Sequence, residues 1–338
     1  MMRSLLFIFF PLFLSSCGFG SSDNVANVNS EIADKTVNKS TIEKNGLRYE
    51  LSADRFEYDK GEEIKITAKV TNINDEIKVL EFPCDDYFEV AVKNGVDTTK
   101  NINTVNCQNE LGVINLNADD NIKKIYTWDQ TDNENNPVNY ATYTINVLLK
   151  DSSDESFSPV DVRVVNLDRK EREAVDKDGN IEKIETAIWT EKNIFQVDDE
   201  ISIYYSYVNR TQRELMFCSP NSCFDYLDSI TIFDGSGDKI WCDDEEKNLI
   251  CLAYGFCYVM SPFSMNTFAN AKNENIKYGD GAPFVTSWDP KDRTIIPDVE
   301  KGIAGEYLIY MGPPRCSQSI EQIDDNRPII NITLTEAE

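Results

Sequence analysis

The 338-residue sequence contains no histidine. This absence excludes Ser-His-Asp and Cys-His catalysis, histidine acid–base chemistry and most catalytic zinc sites. The sequence also lacks a GxSxG nucleophile turn, a GxxxxGK[ST] phosphate loop and a GxGxxG cofactor turn. A hydrolase that uses two carboxylates is the enzyme class left open, but 59 acidic residues single out no pair. We therefore expect a protein that is not an enzyme and has no cofactor.

Positive charge is scarce. The chain has 33 Lys and Arg against 59 Asp and Glu, which gives a formal net charge of -26. A phosphate backbone would be repelled by such a surface, so nucleic acid is excluded as a partner. The acidity is typical of a soluble protein, and it also favours cations or a basic partner surface.

The apolar run at the start of the chain is too short for a membrane-spanning helix. It holds ten residues, Leu5–Leu14, and contains Pro11, whereas a span needs roughly 20 residues. Arg3 precedes the run and two serines separate it from Cys17, a pattern typical of a secretory signal covering residues 1–16. The alternative is an ordinary signal peptide followed by a chance cysteine.

The four residues 14–17, Leu-Ser-Ser-Cys, resemble the lipobox of bacterial lipoproteins. The resemblance implies a diacylglycerol thioether on Cys17, an acylated amino terminus and anchoring to a membrane of the cell envelope, because several acyl chains hold firmly where one is marginal. The folded part would then face the periplasm or the exterior. Gly18 after the cysteine favours the outer membrane if the cell has one.

Eight further cysteines form an even set, which in an exported protein predicts disulfide bonds. They are Cys84, Cys107, Cys218, Cys223, Cys242, Cys251, Cys257 and Cys316. Cys84 and Cys107 are the two in the first half, so we expect them to pair, with a contribution on the order of 3 kcal/mol. The other six allow fifteen pairings. Zinc is the competing explanation, but the cysteines form no paired short knuckles and we expect no metal.

Short alternating segments follow a polar stretch. Residues 17–43 predict a lipidated flexible tether, because they show no sustained apolar period. Residues 62–70 then place Ile64, Ile66 and Val70 on one face, as in a half-buried strand. Further strands are expected over 77–82, 87–93, 122–128 and 142–150, and no long amphipathic helix is predicted.

The second half of the chain repeats the order of the first. The matching pairs are Phe56 with Phe195, Phe82 with Phe217, Trp128 with Trp288 and Tyr143 with Tyr307. This predicts two tandem immunoglobulin-like β-sandwich domains over 44–168 and 183–338, joined by a charged connector over 169–182. The tyrosines resemble a tyrosine corner, in which the phenol bonds a nearby backbone group. For the two tryptophans, core packing is favoured over ligand stacking.

The motifs that repeat also carry a family resemblance. FEYDKGEEIKITAKVTN, KVLEFP and TWDQTDNENNPVNYATYTI in the first copy, with SITIFDGSGDKIW and SWDP in the second, resemble the intracellular proteinase inhibitor (BsuPI-type) domain family. The resemblance implies a compact all-β module that occupies another protein's cleft, but no motif marks a reactive loop.

The second copy contains an insertion rich in aromatic residues and methionine, CLAYGFCYVMSPFSMNTF over 251–268. We expect Tyr254, Phe256 and Tyr258 to bind a partner, because aromatic side chains give large contact areas and loops carry function in sandwiches. Cys251 and Cys257 could close a short ring around the tip. The alternative is that these residues extend the core.

Two Asp-rich segments, Asp176–Asn180 and Asp234–Asp238, superficially suggest calcium sites. An EF-hand loop needs its glycine at position six and a bidentate acid at twelve, but in Asp176–Asn180 the glycine stands at position four. Both segments predict polar turns. The resulting hypothesis is a lipid-anchored binding protein, acting on a protease or another protein, and the alternative is a non-inhibitory adhesion or structural lipoprotein.

Overall fold

The chain is an all-β protein. The computed structural model describes residues 38–82, 87–103, 112–150, 155–219, 229–242, 256–260, 264–265, 268–270, 284–288, 304–312 and 326–336. These residues form β-strands, turns and connecting segments, without a helix. Accordingly, this part of the chain has no helix of the length and hydrophobicity needed to cross a membrane.

The strands of the first half are β1 (Asn38–Lys44), β2 (Leu47–Ala53), β3 (Glu57–Asp59), β4 (Ile64–Asn72), β5 (Lys78–Phe82), β6 (Phe88–Asn94), β7 (Asp97–Asn103), β8 (Gly112–Leu116), β9 (Asn121–Trp128), β10 (Ala141–Leu149), β11 (Glu155–Ser156) and β12 (Val160–Asp176). The strands of the second half are β13 (Ile181–Thr190), β14 (Ile194–Gln196), β15 (Ile201–Asn209), β16 (Leu215–Ser219), β17 (Ser229–Asp234), β18 (Lys239–Cys242), β19 (Phe256–Met260), β20 (Ser264–Met265), β21 (Phe268–Asn270), β22 (Phe284–Trp288), β23 (Gly305–Gly312) and β24 (Ile329–Thr335).

In the first sandwich, the sheet β1-β2-β4-β9 packs against the strands β12-β10-β6-β7. Alternation in the sequence creates the contact, because every second residue of a strand points to the same face. Ile66 of β4, Val90 of β6 and Ile145 of β10 are all fully buried in one hydrophobic cluster. Trp128 belongs to this core, where its ring meets that of Tyr143 edge to face, so the prediction of core packing is confirmed for this tryptophan.

In the second sandwich, β13 and β15 pack against the sheet β14-β24-β23-β17-β18. Ile188 of β13, Ile203 of β15, Ile232 of β17 and Ile309 of β23 share a second fully buried cluster. A smaller cluster, formed by Val165, Leu167, Ala187 and Trp189, lies where the two sandwiches meet.

Strand β12 belongs to both sandwiches. Val160–Val164 pair with β10, and 166–175 pair with β13. Residues 169–182, expected as a connector, therefore lie in the hairpin of β12 and β13. Residues 38–43, expected in the tether, lie in β1, which pairs with β2 along its whole length. Neither strand was predicted, because both sequences are polar. In β1 only Asn38 is buried, so the strand has no apolar period.

The strand pairings of the first sandwich recur in the second. The hairpin β1-β2 and its neighbours β4 and β9 correspond to β12-β13, β15 and β22, with Ile64 opposite Trp128 and Ile201 opposite Trp288. The short parallel pair of β3 with β12 corresponds to that of β14 with β24. Similarly, β5-β8, β6-β7 and β10-β12 correspond to β16-β19, β17-β18 and β23-β24.

The predicted bond of the first tyrosine corner is present. The hydroxyl of Tyr143 donates to the carbonyl oxygen of Asn139 at 2.8 Å. Burial raises the pKa of this phenol, despite its bond to the carbonyl of Asn139. Tyr143 thus has the structural role that its position at the start of β10 predicts.

Candidate functional site

The aromatic insertion forms part of a three-stranded ribbon in the second sandwich. Strand β19 pairs with β16 on one side and with β21 on the other. The corresponding ribbon of the first sandwich has two strands among the described residues, β5 and β8. The insertion therefore adds β-structure at the outer side of this ribbon, and we define β16, β19 and β21 as the aromatic ribbon.

A buried asparagine fixes each ribbon to the neighbouring sheet. Nδ2 of Asn72, at the end of β4, donates to the carbonyl oxygens of Glu76 and Leu116 at 2.8 and 2.9 Å. Nδ2 of Asn209, at the end of β15, donates to those of Arg213 and Met260 at 2.8 and 3.2 Å. Both asparagines are fully buried. The aromatic ribbon is thus held in the same place as its counterpart in the first sandwich.

The register of β19 divides the predicted partner-binding residues between faces. Phe256 and Tyr258 occupy alternate positions with Met260 and therefore share its face of the strand. Met260 and its cross-strand partner Leu215 are fully buried. The partner-binding role of Phe256 and Tyr258 stays a prediction. Tyr254, the third predicted binding residue, lies outside the described residues.

Three of the predicted disulfide cysteines lie in described strands. Cys218 is in β16, Cys257 in β19 and Cys242 in β18, which belongs to another sheet. The lipidation residue and the remaining cysteines lie outside the described residues: Cys17, Cys84, Cys107, Cys223, Cys251 and Cys316. The structure brings Cys218 and Cys257 to directly opposite positions of a strand pair.

A second candidate region lies at the junction of the sandwiches. A cavity of about 30 Å³ is bordered by Arg55, Arg169, Glu185, Trp189 and Arg210, among others. The indole Nε1 of Trp189 is buried beside it and has no hydrogen-bond partner among the described residues. Tyr204 stacks on the indole with 5.7 Å between ring centroids.

The arginines of the junction are paired with carboxylates of the chain. Both Nε and Nη2 of Arg210 donate to Glu185, at 3.2 and 3.0 Å. Nη2 of Arg55 lies 3.5 Å from Glu185, and its Nη1 donates to Glu62. Arg169 bridges the two glutamates, at 2.7 Å from Glu62 and 3.7 Å from Glu185. This arrangement can lock the sandwiches together, and its arginines are already occupied.

Burial and ion pairing shift two of the junction carboxyl groups in opposite directions. Burial raises the pKa of Glu57, and this effect outweighs the attraction to Arg163 and Arg169. Burial also opposes ionisation of Glu185, but bonding to Arg210 and the charges of Arg169 and Arg55 prevail, so the pKa of Glu185 is lowered. Glu185 is therefore the charged centre of the junction.

Local sequence patterns do not predict this junction. Arg169 and Glu185 lie in β12 and β13, whereas Arg55 and Glu62 flank β3 and Arg210 follows β15. Glu62 and Arg169 are 107 positions apart. The mixed charges of residues 168–173, DRKERE, are consistent with ion pairs on a strand. In a strand, Arg169 and Lys170 lie on opposite faces.

The two segments that superficially suggest calcium sites form hydrogen-bonded turns. In the first, the carboxylate of Asp176 accepts bonds from the backbone N–H groups of Asp178 and Asn180 at 2.9 and 2.8 Å, and from Arg213 at 2.7 Å. In the second, Asp234 accepts from the N–H groups of 236 and 238 at 2.9 and 3.0 Å. Within the described ranges, no group of three Cys, Asp or Glu residues is placed to hold a metal ion.

Comparisons with known proteins identify no family. No protein-family model matches the chain, and no curated protein matches it. Among solved structures, red sea bream transglutaminase matches with 9% identity and a TM-score of 0.26, over 86% of this chain and 31% of that chain. The chain thus spans about a third of that protein's length, and a similarity of this level supports no conclusion about activity.

Proposed function

We propose that the protein is a lipid-anchored binding protein of the cell envelope, which holds another protein through the aromatic ribbon of its second sandwich. The observation that carries this proposal is strand β21, which extends the ribbon of the second sandwich beyond the two strands described in the first. Loops and insertions on a rigid sandwich are the usual place of binding residues.

The ribbon has the support that a binding element needs. Asn209 ties it to β15 through two buried hydrogen bonds, and strand β12 touches its first strand, with Val175 opposite Met216. Such support reduces the ordering cost of binding, because the contact surface is arranged before the partner arrives. The partner would contact Tyr254 and strand β21.

A proteinase in the envelope is the partner that the resemblance to the BsuPI-type family suggests. A braced ribbon entering the cleft of a protease would block it stoichiometrically. The direct test is an inhibition titration of the purified protein against serine, cysteine and metalloproteases. A sharp end point at a 1:1 ratio is expected, and its loss in Tyr254→Ala would assign the contact.

Phe256 and Tyr258 alternate with the buried Met260 along β19. Phe256→Ala and Tyr258→Ala would therefore also weaken folding. Tyr254→Ala therefore comes first, with Tyr140→Ala in the first sandwich as the aromatic control. If no protease is inhibited, or the protein is cleaved as a substrate, inhibition is ruled out for the panel.

A non-inhibitory adhesion or structural role is the second candidate. The unbroken strand β12 favours it, because two sandwiches sharing one strand form a stiff unit suited to spacing or scaffolding. In that case the protein would be retained on cells or envelope polymers without affecting any protease. A pull-down with isolated envelope fractions, with and without Tyr254→Ala, separates the two functions.

Anchoring is tested independently of the partner. Cys17→Ser is expected to release the protein from membranes or to leave its precursor uncut, because the thioether and the acylated amino terminus need the thiol. Membrane fractionation and mass measurement of the mature chain report both effects. Normal cleavage with unchanged membrane retention would overturn the lipoprotein assignment.

A further inference from the structure

Two cysteines of the aromatic ribbon lie directly opposite each other. The antiparallel register of β16 and β19 pairs Cys218 with Cys257. Opposite residues in such a pair have Cα atoms about 4.5 or 5.5 Å apart, depending on the hydrogen bonding. Disulfide bonds need a Cα separation of about 4.4–6.8 Å, so both kinds of pair are suitable. We propose that Cys218 and Cys257 form a cross-strand disulfide bond.

The two cysteines lie on one face of the aromatic ribbon, as a cross-strand bond requires. Leu215 and Met260 form a buried pair three positions along the strands from the cysteines, so alternation puts the two pairs on opposite faces of the ribbon. In the corresponding ribbon of the first sandwich, Leu80 and Phe82 are buried while Val79 and Val113 are 52% and 58% exposed. The ribbon of the first sandwich thus has one face that contacts the core and one face that is exposed to solvent.

The register also distinguishes this pairing from its competitors. Cys242 lies in β18, in the five-stranded sheet, with Thr231 as its cross-strand partner. The short ring between Cys251 and Cys257, considered from the sequence, would use the same Cys257 and is incompatible with the proposed bond. A bond between Cys218 and Cys257 reduces the fifteen pairings that six cysteines allow to the three that the other four cysteines allow.

The repeat supplies a second, independent argument. In the sequence, Cys84 follows the last residue of β5 by two positions, and Cys107 precedes the first residue of β8 by five. The two halves of the chain thus both carry a cysteine near the end of the first ribbon strand and another near the start of the second. Paired cysteines at corresponding places are typical of a disulfide kept in both copies of a repeat.

The chemistry is a thiol–disulfide exchange. Two thiols lose two protons and two electrons as the Sγ–Sγ bond forms, and a disulfide oxidant, such as glutathione disulfide, accepts them and leaves as two thiols. The bond joins cysteines that are 39 positions apart in the sequence. It constrains the unfolded chain whichever partner the ribbon binds, so the inference does not depend on the proposed inhibition.

The test is disulfide mapping of the full chain, oxidised with glutathione disulfide and alkylated without reductant. Trypsin yields peptides 214–239 and 248–272, each with two cysteines. A linked pair is expected, and electron-transfer fragmentation should place the bond at Cys218 and Cys257. A bond at Cys223, a Cys251–Cys257 ring or free thiols at both positions would overturn the proposal.

Cysteine variants test the proposed disulfide bond independently of the mapping. Cys218→Ser should expose one new thiol, at Cys257, and lower the unfolding midpoint by on the order of 10 °C. Cys223→Ser is the matched control and should leave Cys257 blocked. If Cys218→Ser fails to fold, the mapping of the unaltered protein still decides.

Discussion

Nη1 of Arg169 lies 2.7 Å from Oε2 of Glu62, which joins the shared strand β12 to the turn that follows β3. Both side chains are largely withdrawn from water, with 17% and 28% exposure. The pair is part of the ionic junction in which Glu185 is the centre.

Arg169→Met should lower the free energy of unfolding by about 2 kcal/mol. Removal of one member of a buried ion-pair network leaves carboxylates with fewer partners, although Arg55 and Arg210 still neutralise them in part. Denaturant unfolding measures the change. Lys183→Met is the control, because its pair with Glu171 is exposed to solvent and should contribute little to stability. Equal effects of the two substitutions would contradict a special role of the junction.

Glu185→Gln should reveal a pH dependence. The pKa of Glu185 is lowered in the folded state, so its contribution to stability is complete above the unfolded pKa of about 4.3 and is lost as the pH falls below it. The difference in unfolding free energy between wild type and variant should therefore shrink as the pH is lowered from about 5 to 3. The pKa of Glu57 is raised, so its contribution to stability becomes more favourable as the pH falls, opposite to that of Glu185. Glu57 is present in both proteins, and its contribution cancels in the difference. A difference that is constant with pH would contradict the prediction.

Asp176→Asn should weaken the hairpin of β12 and β13. Bonds from the side chain and the backbone N–H of Asn180, and from Arg213, lower the pKa of Asp176 to about 2. Its stabilising charge is present above the unfolded pKa of about 3.9 and disappears as the pH falls toward about 2. We expect the unfolding midpoint to drop by a few degrees at pH 7 and the deficit to narrow at low pH. Asp178→Asn, with an exposed side chain, should have little effect. A comparable drop in this control would show that charge alone is responsible.

Asn72→Ala and Asn209→Ala should each cost about 2 kcal/mol, because buried carbonyl groups lose their donors. Asn209→Ala should also loosen the aromatic ribbon, since Asn209 Nδ2 contacts the carbonyl of Met260. Amide hydrogen exchange is expected to rise in β19 for Asn209→Ala and in β8 for Asn72→Ala. Asn121→Ala, at an exposed position of β9, serves as control. Uniform exchange changes in both ribbons would argue against local clamping.

The sequence was informative where one face of a strand is buried. The strands expected over 62–70, 77–82, 87–93, 122–128 and 142–150 correspond to β4, β5, β6, β9 and β10 with small shifts at their ends. Their alternating side chains have a direct physical cause in the core that they share. By contrast, β1 and the second half of β12 could not be predicted from the sequence, because their residues show no apolar period. Backbone hydrogen bonds and ion pairs stabilise these strands instead.

The candidate site was only partly predictable. The insertion around Tyr254 stood out by composition, but composition cannot give the register that places Phe256 and Tyr258 on the face of buried Met260. The opposition of Cys218 and Cys257 likewise depends on the pairing of β16 with β19. The junction unites residues far apart in the chain, and local patterns carry no information about such contacts.

The shared strand β12 has a consequence for how the protein can evolve or be dissected. Its residues exchange hydrogen bonds with β10 before position 165 and with β13 after it, so the two sheets follow each other along one strand with no linker between them. A cut at position 165 would leave each sheet its own segment of β12, but it would divide the ionic junction and the apolar cluster around Trp189. The two halves should consequently melt as one cooperative unit, and either half alone would expose side chains that are buried where the sandwiches meet.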